Sequence, residues 1–318
     1  MLPVLTIAAG LLVALAIDRL LGEPPARLHP VVWMGRYLGW AGKRIAPAES
    51  GSGPDWRAFG AGALAWCVGA ALVMGLACWA QQAVAGWHPL LAGLVLGCLL
   101  KPLLAWRMLR NEVLAVEAAL AQSLMTGRAR LAWLVSRDVI NLSEAQVRES
   151  AIESLAENLN DSVVAPLFWF VLLGLPGAAL YRLANTADAM WGYPGMRGGR
   201  YWQWAGKWAA RADDVLSWLP ARITALLLAL AARGLPLRAL RQQARQTPSP
   251  NSGWPMAAMA LALGVRLAKP GVYVLNEAGR AVQPGDMQRA VVLASKVLVS
   301  LVACALSAIV FVVFRVFS

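Results

Sequence analysis

Long stretches with no charge set the tightest limit on what this chain can fold into. Leu2 to Ile17, Phe59 to Ala80, Val84 to Leu100 and Val297 to Phe314 contain no Asp, Glu, Lys or Arg. A helix crossing a bilayer needs about 20 mostly apolar residues, so these four runs read as spans. Two more, Val163 to Leu180 and Val215 to Ala232, are long enough. However, Pro166, Pro176 and Gly177 interrupt the first, and Pro220 and Arg222 sit inside the second. With 318 residues, 59% of them hydrophobic and only 14% charged, the expected fold class is all-α. More specifically, one polytopic α-helical membrane-embedded domain is expected over 1–318, with four to six membrane segments and a helical cytoplasmic region. The first run is preceded by no basic segment, so it reads as a span rather than a cleaved signal.

Charge orients the spans. The net charge is +12, with six Lys and Arg in residues 18–57, seven in 101–162, five in 182–214 and eight in 233–290. Basic loops stay in the cytoplasm, which places 18–57 and 101–162 there, in the cytoplasmic membrane of the cell. If neither ambiguous run crosses, everything from 101 to about 290 stays on that side, and this arrangement keeps every basic loop inside. A basic excess also suits nucleotide phosphates. Nucleic acid is not expected, since no binding motif is present. Cys67, Cys78, Cys98 and Cys304 lie in apolar runs without CxxC spacing and read as core packers.

The chemistry concentrates in "ESAIESLAENLNDSVVAPLFWF", residues 149–170. Glu149, Glu153, Glu157 and Asp161 recur every fourth residue. At about 100° per residue, Glu153, Glu157 and Asp161 share one helical face, and Ile152, Leu155, Ala156 and Leu159 occupy another. Like charges at this spacing destabilise an isolated helix by roughly 0.2–0.5 kcal/mol per pair, so a positive partner is expected. Carboxylates and amides are the hard oxygen ligands that Mg²⁺ prefers, usually one or two beside substrate phosphates. Glu153, Glu157 and Asp161 are therefore candidate Mg²⁺ ligands and catalytic groups. The same row is also readable as a solvated helix face salted by nearby arginines. Asp188 in "NTADAMWGY" and Arg211, Asp213 and Asp214 in "AARADD" lie beside further apolar segments, where carboxylates are functional candidates.

Other machinery is missing. There is no GxxxxGK[ST] and no GxGxxG, and "GMRGGR" at 195–200 has the wrong glycine spacing. With only His29 and His88, neither a His-based metal site nor a Ser/His/Asp triad is expected. The loop "QTPSPNSGWP" at 246–255 is held open by its prolines. It runs into "MAAMALALGV", too short to span and read as a buried or re-entrant helix. Ser249, Asn251 and Trp254 there are candidate contacts for a substrate phosphate or an apolar ring.

Five ordered blocks, "DRLLGEPPARLHPVVWMGR" (18–36), "SRDVINLSEAQVRESAIESLAENLNDSVVAPLFWF" (136–170), "LYRLANTADAMWGY" (180–193), "AARADDVLSWLPARIT" (209–224) and "SPNSGWPMAAMALALGVRL" (249–267), together resemble the adenosylcobinamide-phosphate synthase family of cobalamin biosynthesis. Glu23 stands where that family often has Asp, and "AKPGVYVLNEAG" (268–279) is less Gly-rich than usual. The resemblance implies an ATP-dependent amide ligation. Its substrates would be adenosylcobyric acid and (R)-1-amino-2-propanol O-2-phosphate, or the unphosphorylated amino alcohol. It implies Mg²⁺ and ATP but no tightly bound redox cofactor, with membrane lipid as surroundings and the site facing the cytoplasm. It leaves room for association with other membrane-bound late cobalamin enzymes. On this reading Arg36, Arg137, Asn158, Asn185, Arg211 and Arg222 join Ser249, Asn251 and Trp254 as substrate or phosphate contacts. A corrinoid transporter and a membrane accessory protein are the competing readings. Against transport, the four clear spans carry no carboxylate.

Overall fold

The computed structural model describes residues 4–49, 51 and 53–317, without the side chains of 309 and 311–317. Leu2 and Pro3 of the first apolar run, and Ser50 and Ser52 of the loop before the second, lie outside the described residues. Helices dominate in the order α1 (Val4–Leu20), α2 (Pro30–Ile45), α3 (Trp56–Ala83), α4 (Pro89–Leu100), α5 (Trp106–Leu120), α6 (Leu124–Leu131), α7 (Glu144–Leu159), α8 (Ala165–Leu173), α9 (Leu175–Trp191), α10 (Lys207–Ala231), α11 (Leu237–Ala244), α12 (Gly253–Leu263) and α13 (Asp286–Phe317). Two short antiparallel hairpins complete the fold, β1 (Met196–Arg197) with β2 (Arg200–Tyr201) and β3 (Leu267–Lys269) with β4 (Tyr273–Leu275). Within the single expected domain the chain packs as two compact units, one from residues up to 105 and 165–216, the other from 106–164 and 217–316.

Four helical stretches are long and apolar enough to cross a membrane: Trp56–Ala83, Pro89–Leu120, Lys207–Ala231 and Asp286–Ala308. The protein is thus an all-α polytopic membrane protein, but its spans are not quite those expected. Among the described residues the first run forms a helix of 17 residues, Val4–Leu20. The two ambiguous runs part company. Residues 163–180 break twice, at a π turn over Asn160–Val164 and at Gly174, whose φ of 71° starts α9 afresh. Residues 215–231 instead lie in the 25-residue α10, which is long and apolar enough to cross. Pro220 is tolerated there for a visible reason. Having no N–H, it leaves the carbonyl of Leu216 without its helical donor, and the Trp169 indole Nε1 donates to that carbonyl at 3.0 Å.

In the first unit, α1 and α4 lie against each other through small residues. Gly93 and Gly97 of α4, spaced as GxxxG, face Thr6, Ala9, Gly10 and Val13 of α1. A Cβ on Gly97 would meet Val13 at 2.6 Å, and one on Gly93 would run into Ala9. Between apolar helices in lipid, such close approach is what favours association. The cysteines, expected in the core, are instead exposed at Cys67, Cys98 and Cys304 and half-buried at Cys78. They lie on stretches apolar enough to span, so their outward faces suit hydrocarbon rather than core.

In the second unit α7 is central, contacting α5, α6, α12 and β3. Its start is fixed by a capping box: Ser143 Oγ accepts from the Gln146 N–H and Gln146 Oε1 accepts from the Ser143 N–H at 2.8 Å. Both of its faces are covered. Ile152, Leu155, Ala156 and Leu159 are fully buried, and so nearly are Glu149 and Glu153 at 3% and 1% exposure. The acidic face is therefore internal at Glu149 and Glu153 and half-buried at Glu157 and Asp161, so it is not a fully solvated face.

The glycine contacts give a direct test. Gly97→Ala should destabilise the protein by about 1–3 kcal/mol through overpacking. Gly75→Ala, where a Cβ meets nothing within 4 Å, should be neutral or slightly stabilising. Thermal unfolding in a neutral detergent compares the two.

Candidate active site

The acidic row meets its cations through tertiary structure. Arg137, in the segment between α6 and α7, reaches Glu153 Oε2 with Nη2 at 2.8 Å and Ser150 Oγ with Nη1 at 3.2 Å. The β3–β4 hairpin lies against α7 and brings Arg266, Lys269 and Tyr273 to the same row. The charge of Arg266 acts on Glu149, which also accepts from the Ala268 N–H, and that of Lys269 acts on Glu157. The charge of Glu153 acts on Tyr273, whose hydroxyl donates to Met256 Sδ at 3.7 Å. Asn276 holds the hairpin in register: at φ 50° its Nδ2 donates to the Val265 carbonyl at 2.9 Å, a left-handed conformation Asn tolerates. One oxygen on each of two buried carboxylates, Glu149 Oε2 and Glu153 Oε1, has no hydrogen-bond partner. Such an atom is costly to bury and keeps its lone pairs open to a donor or a cation.

Burial sets the protonation of the row. Glu157, half-buried, has its pKa pushed up to about 7, first by desolvation and then by the charges of Asp161 and Glu153, with Lys269 and Arg137 opposing. Glu149 is also raised, chiefly by burial. The Tyr273 hydroxyl is held far above its usual range by burial and by the negative charge of Glu153.

The remaining candidates of this unit are mostly engaged in structure. Asp161 lies in the π turn, a feature frequent at functional sites, and accepts from Asn160 Nδ2 at 2.8 Å. Asn160 Oδ1 in turn accepts from Thr224 Oγ1 at 3.1 Å. Asn158 donates to the Ser154 carbonyl at 2.9 Å. Arg222 lies 4.4 Å from the Trp218 ring centroid and 4.9 Å from that of Trp254, and bonds Asn251 Oδ1 at 2.8 Å. Ser249 Oγ accepts from the N–H groups of Asn251 and Ser252, both at 3.2 Å. The 249–254 loop therefore spends its polar groups on itself and Arg222. Among the described residues no three His, Cys, Asp or Glu side chains are grouped as ready metal ligands, so Glu153, Glu157 and Asp161 form no preassembled three-carboxylate site.

The other candidates belong to the first unit. Asn185 accepts from Arg182 Nη1 at 3.3 Å. Asp188 lies on α9, where its carbonyl accepts from the Gly192 N–H at 2.7 Å. Arg211, Asp213 and Asp214 share the start of α10, and Arg36 is exposed on α2. Sequence reasoning passed over a buried polar group in this unit. Lys101 Nζ, 2% exposed, lies 3.3 Å from Asp18 Oδ1 and 2.7 Å from Glu23 Oε2, which His29 Nε2 approaches at 3.3 Å. The only sequence signal was that Asp18, Glu23 and His29 share the 18–36 block and that Lys101 ends an apolar run. Glu149, Arg266, Lys269 and Tyr273 were also missed. Glu149 alone announced itself, by the i,i+4 spacing.

An all-α membrane protein with a buried row of carboxylates compensated by cations from outside their own helix is the class that fold and site define. The chain belongs to the CobD/Cbib protein family, whose model matches residues 11–295. It is 46% identical over 268 residues to the cobalamin biosynthesis protein CobD of Chromobacterium violaceum, covering 82% of this chain and 81% of the relative. It is 42% identical over 273 residues to the probable cobalamin biosynthesis protein CobD of Methanothermobacter thermautotrophicus, covering 84% and 86%. The corresponding protein of Methanothrix thermoacetophila is 36% identical over 322 residues, covering 96% and 97%. No solved structure matches.

The raised pKa of Glu157 has a measurable consequence for stability. Folded protein holds this proton up to about pH 7, whereas an unfolded carboxyl releases it near 4.5. The folded state therefore binds more protons between those values, and stability falls as pH rises through the window. In metal-free buffer the unfolding temperature should decline from about pH 4.5 to 7, and Glu157→Gln should flatten that decline. An unchanged slope in the variant would show that Glu157 titrates normally.

Proposed function

We propose that this protein joins the carboxylate of adenosylcobyric acid to the amine of (R)-1-amino-2-propanol O-2-phosphate, or of the free amino alcohol, at the expense of ATP. The supporting observation is the buried acid row of α7 with Arg137, Arg266 and Lys269 around it, in a chain whose relatives are named for cobalamin biosynthesis. A carboxylate is a poor electrophile. Attack of its oxygen on the γ-phosphorus of ATP forms an acyl phosphate and releases ADP. The amine then attacks the acyl carbon, phosphate leaves, and one proton must go from nitrogen to a base.

Glu157 suits that last role. With a pKa near 7 it can take a proton from the amine close to neutral pH, where a general base works best. Arg137, Arg266 and Lys269 offer positive charge against the phosphates. Mg²⁺ fits the donors present: the unpartnered oxygens of Glu149 and Glu153 are hard ligands, and this ion commonly takes only one or two carboxylates and completes its shell with water and phosphate. When bound, it would supply neutralisation of the ATP phosphates. The site is proposed to face the cytoplasm, the side on which ATP is found.

Purified protein incubated with adenosylcobyric acid, ATP, Mg²⁺ and each amino alcohol in turn should yield the amide and ADP by mass spectrometry. Absence of any amide with either amine would refute the assignment. Glu157→Gln should lower kcat by about 10²- to 10⁴-fold, the usual contribution of a general base, with membrane insertion intact. Wild-type turnover in that variant would remove Glu157 from the chemistry.

A further inference from the structure

The stretch "YPGMRGGRYW", residues 193–202, contains the glycine-rich run that matches no phosphate-loop spacing, yet its fold assembles unpaired positive charge. Strands β1 and β2 pair Met196 with Tyr201 and Arg197 with Arg200. The two linking residues, Gly198 and Gly199, have φ of 57° and 71°. Positive φ at both central positions is the requirement of a type I′ hairpin turn, which residues with a Cβ rarely meet. The turn sets Arg197 directly opposite Arg200, and like charges opposite each other on paired strands are destabilising by themselves. The hairpin is nevertheless pinned. Arg200 Nη1 donates to the Ala46 carbonyl at 2.7 Å, the Tyr201 N–H to the Pro47 carbonyl at 2.8 Å, and Trp202 Nε1 to the Arg197 carbonyl at 3.2 Å.

Between α2 and this hairpin lies a cavity of about 450 Å³, all within the first unit. Trp191 and Trp202, stacked at 6.2 Å and 15°, close one side, and Gly42 admits them because a Cβ there would come within 2.8 Å of the Trp202 ring. Lys43, Arg197 and Arg200 line it, and no carboxylate does. Arg197 lies over the Tyr193 ring at 3.6 Å and Arg200 uses one N–H on Ala46, which leaves the rest of each guanidinium fork open. Among the described residues none of these three cations makes an ion pair.

We propose that this cavity binds a phosphate group. Planar guanidinium forks match phosphate oxygens in pairs, and a lysine adds a point charge. The like-charge pairing, costly in an empty hairpin, becomes favourable around a dianion. The phosphate can belong to a soluble compound or to a lipid headgroup, since both present the same oxygens. The cavity belongs to the first unit and the amide chemistry is assigned to α7 of the second, so its failure would leave that assignment untouched.

Calorimetric titration of the full-length protein in uncharged detergent, with tripolyphosphate as probe and EDTA present to suppress metal-dependent binding, tests the proposal. Wild type should show a saturable equivalent that sulfate at equal ionic strength displaces poorly. Lys43→Gln and Arg197→Gln should each weaken it at least tenfold. Neither variant removes the Arg200 anchor, and their unliganded unfolding temperatures check that the fold is retained. Equal affinity in wild type and both variants would overturn the proposal, as would complete displacement by sulfate. Repeating the titration in nanodiscs identifies the source. Phosphatidylglycerol suppressing the Arg197-dependent equivalent where phosphatidylcholine does not assigns it to a lipid headgroup, and persistence in both assigns it to a soluble phosphate.

Discussion

Taking a carboxylate out of water costs several kcal/mol even after relaxation, and α7 does so repeatedly along one face. Much of the second unit answers that cost. Arg137 pairs with Glu153, the Ala268 N–H and the charge of Arg266 serve Glu149, and Lys269 faces Glu157. The compensation is incomplete. Glu157 is pushed towards its protonated form by burial and by the charges of Asp161 and Glu153, and an oxygen of Glu149 and one of Glu153 stay without a hydrogen bond. A helix built for stability alone would be better served by apolar residues of similar volume. Retaining acids that the fold satisfies only in part is consistent with the site proposed above, which a further charged species would complete.

The first unit works under a different constraint. Where hydrocarbon surrounds a helix, water cannot satisfy polar groups and the hydrophobic effect does not hold helices together. Close contact through Gly93 and Gly97 answers the second problem, and side chains recruited to broken backbone answer the first. Trp169 covers the carbonyl that Pro220 orphans, and Gln81 Oε1 accepts from the Leu175 N–H at 2.9 Å where the chain restarts after Gly174. The same demand explains the Lys101 group, in which a lysine buried to 2% has two carboxylates as partners.

What the sequence disclosed follows from what is local. Apolar runs and the acid period are local, so the all-helical membrane class and the shared face of Glu153 and Glu157 on one helix were legible. Pairing is not local. Arg266 and Lys269 stand more than a hundred residues beyond Glu149 and Glu157 in the chain and meet α7 only because a hairpin folds back on it. That α7 is covered on its polar face as well was hidden for the same reason, since amphipathic periodicity reports which residues differ and not what lies against them. The 163–180 run failed as one helix because a π turn and a left-handed glycine, both backbone events, interrupt a composition that looked continuous.

Cations show most clearly that residue type alone does not say what a side chain already holds. Arg137 and Arg222 looked like phosphate clamps because arginines near acids and apolar segments suit that role. In the fold Arg137 already holds Glu153 while its charge stays beside the acid row, and Arg222 lies by Trp218 and Trp254 with Asn251 as acceptor. The arginines left without a carboxylate at Arg197 and Arg200 lie in a stretch set aside for its glycine spacing. There the glycines bend the chain so that two like charges face each other, and they need make no phosphate loop to do so. A guanidinium's availability is thus decided by what it already holds, and only the folded chain records that.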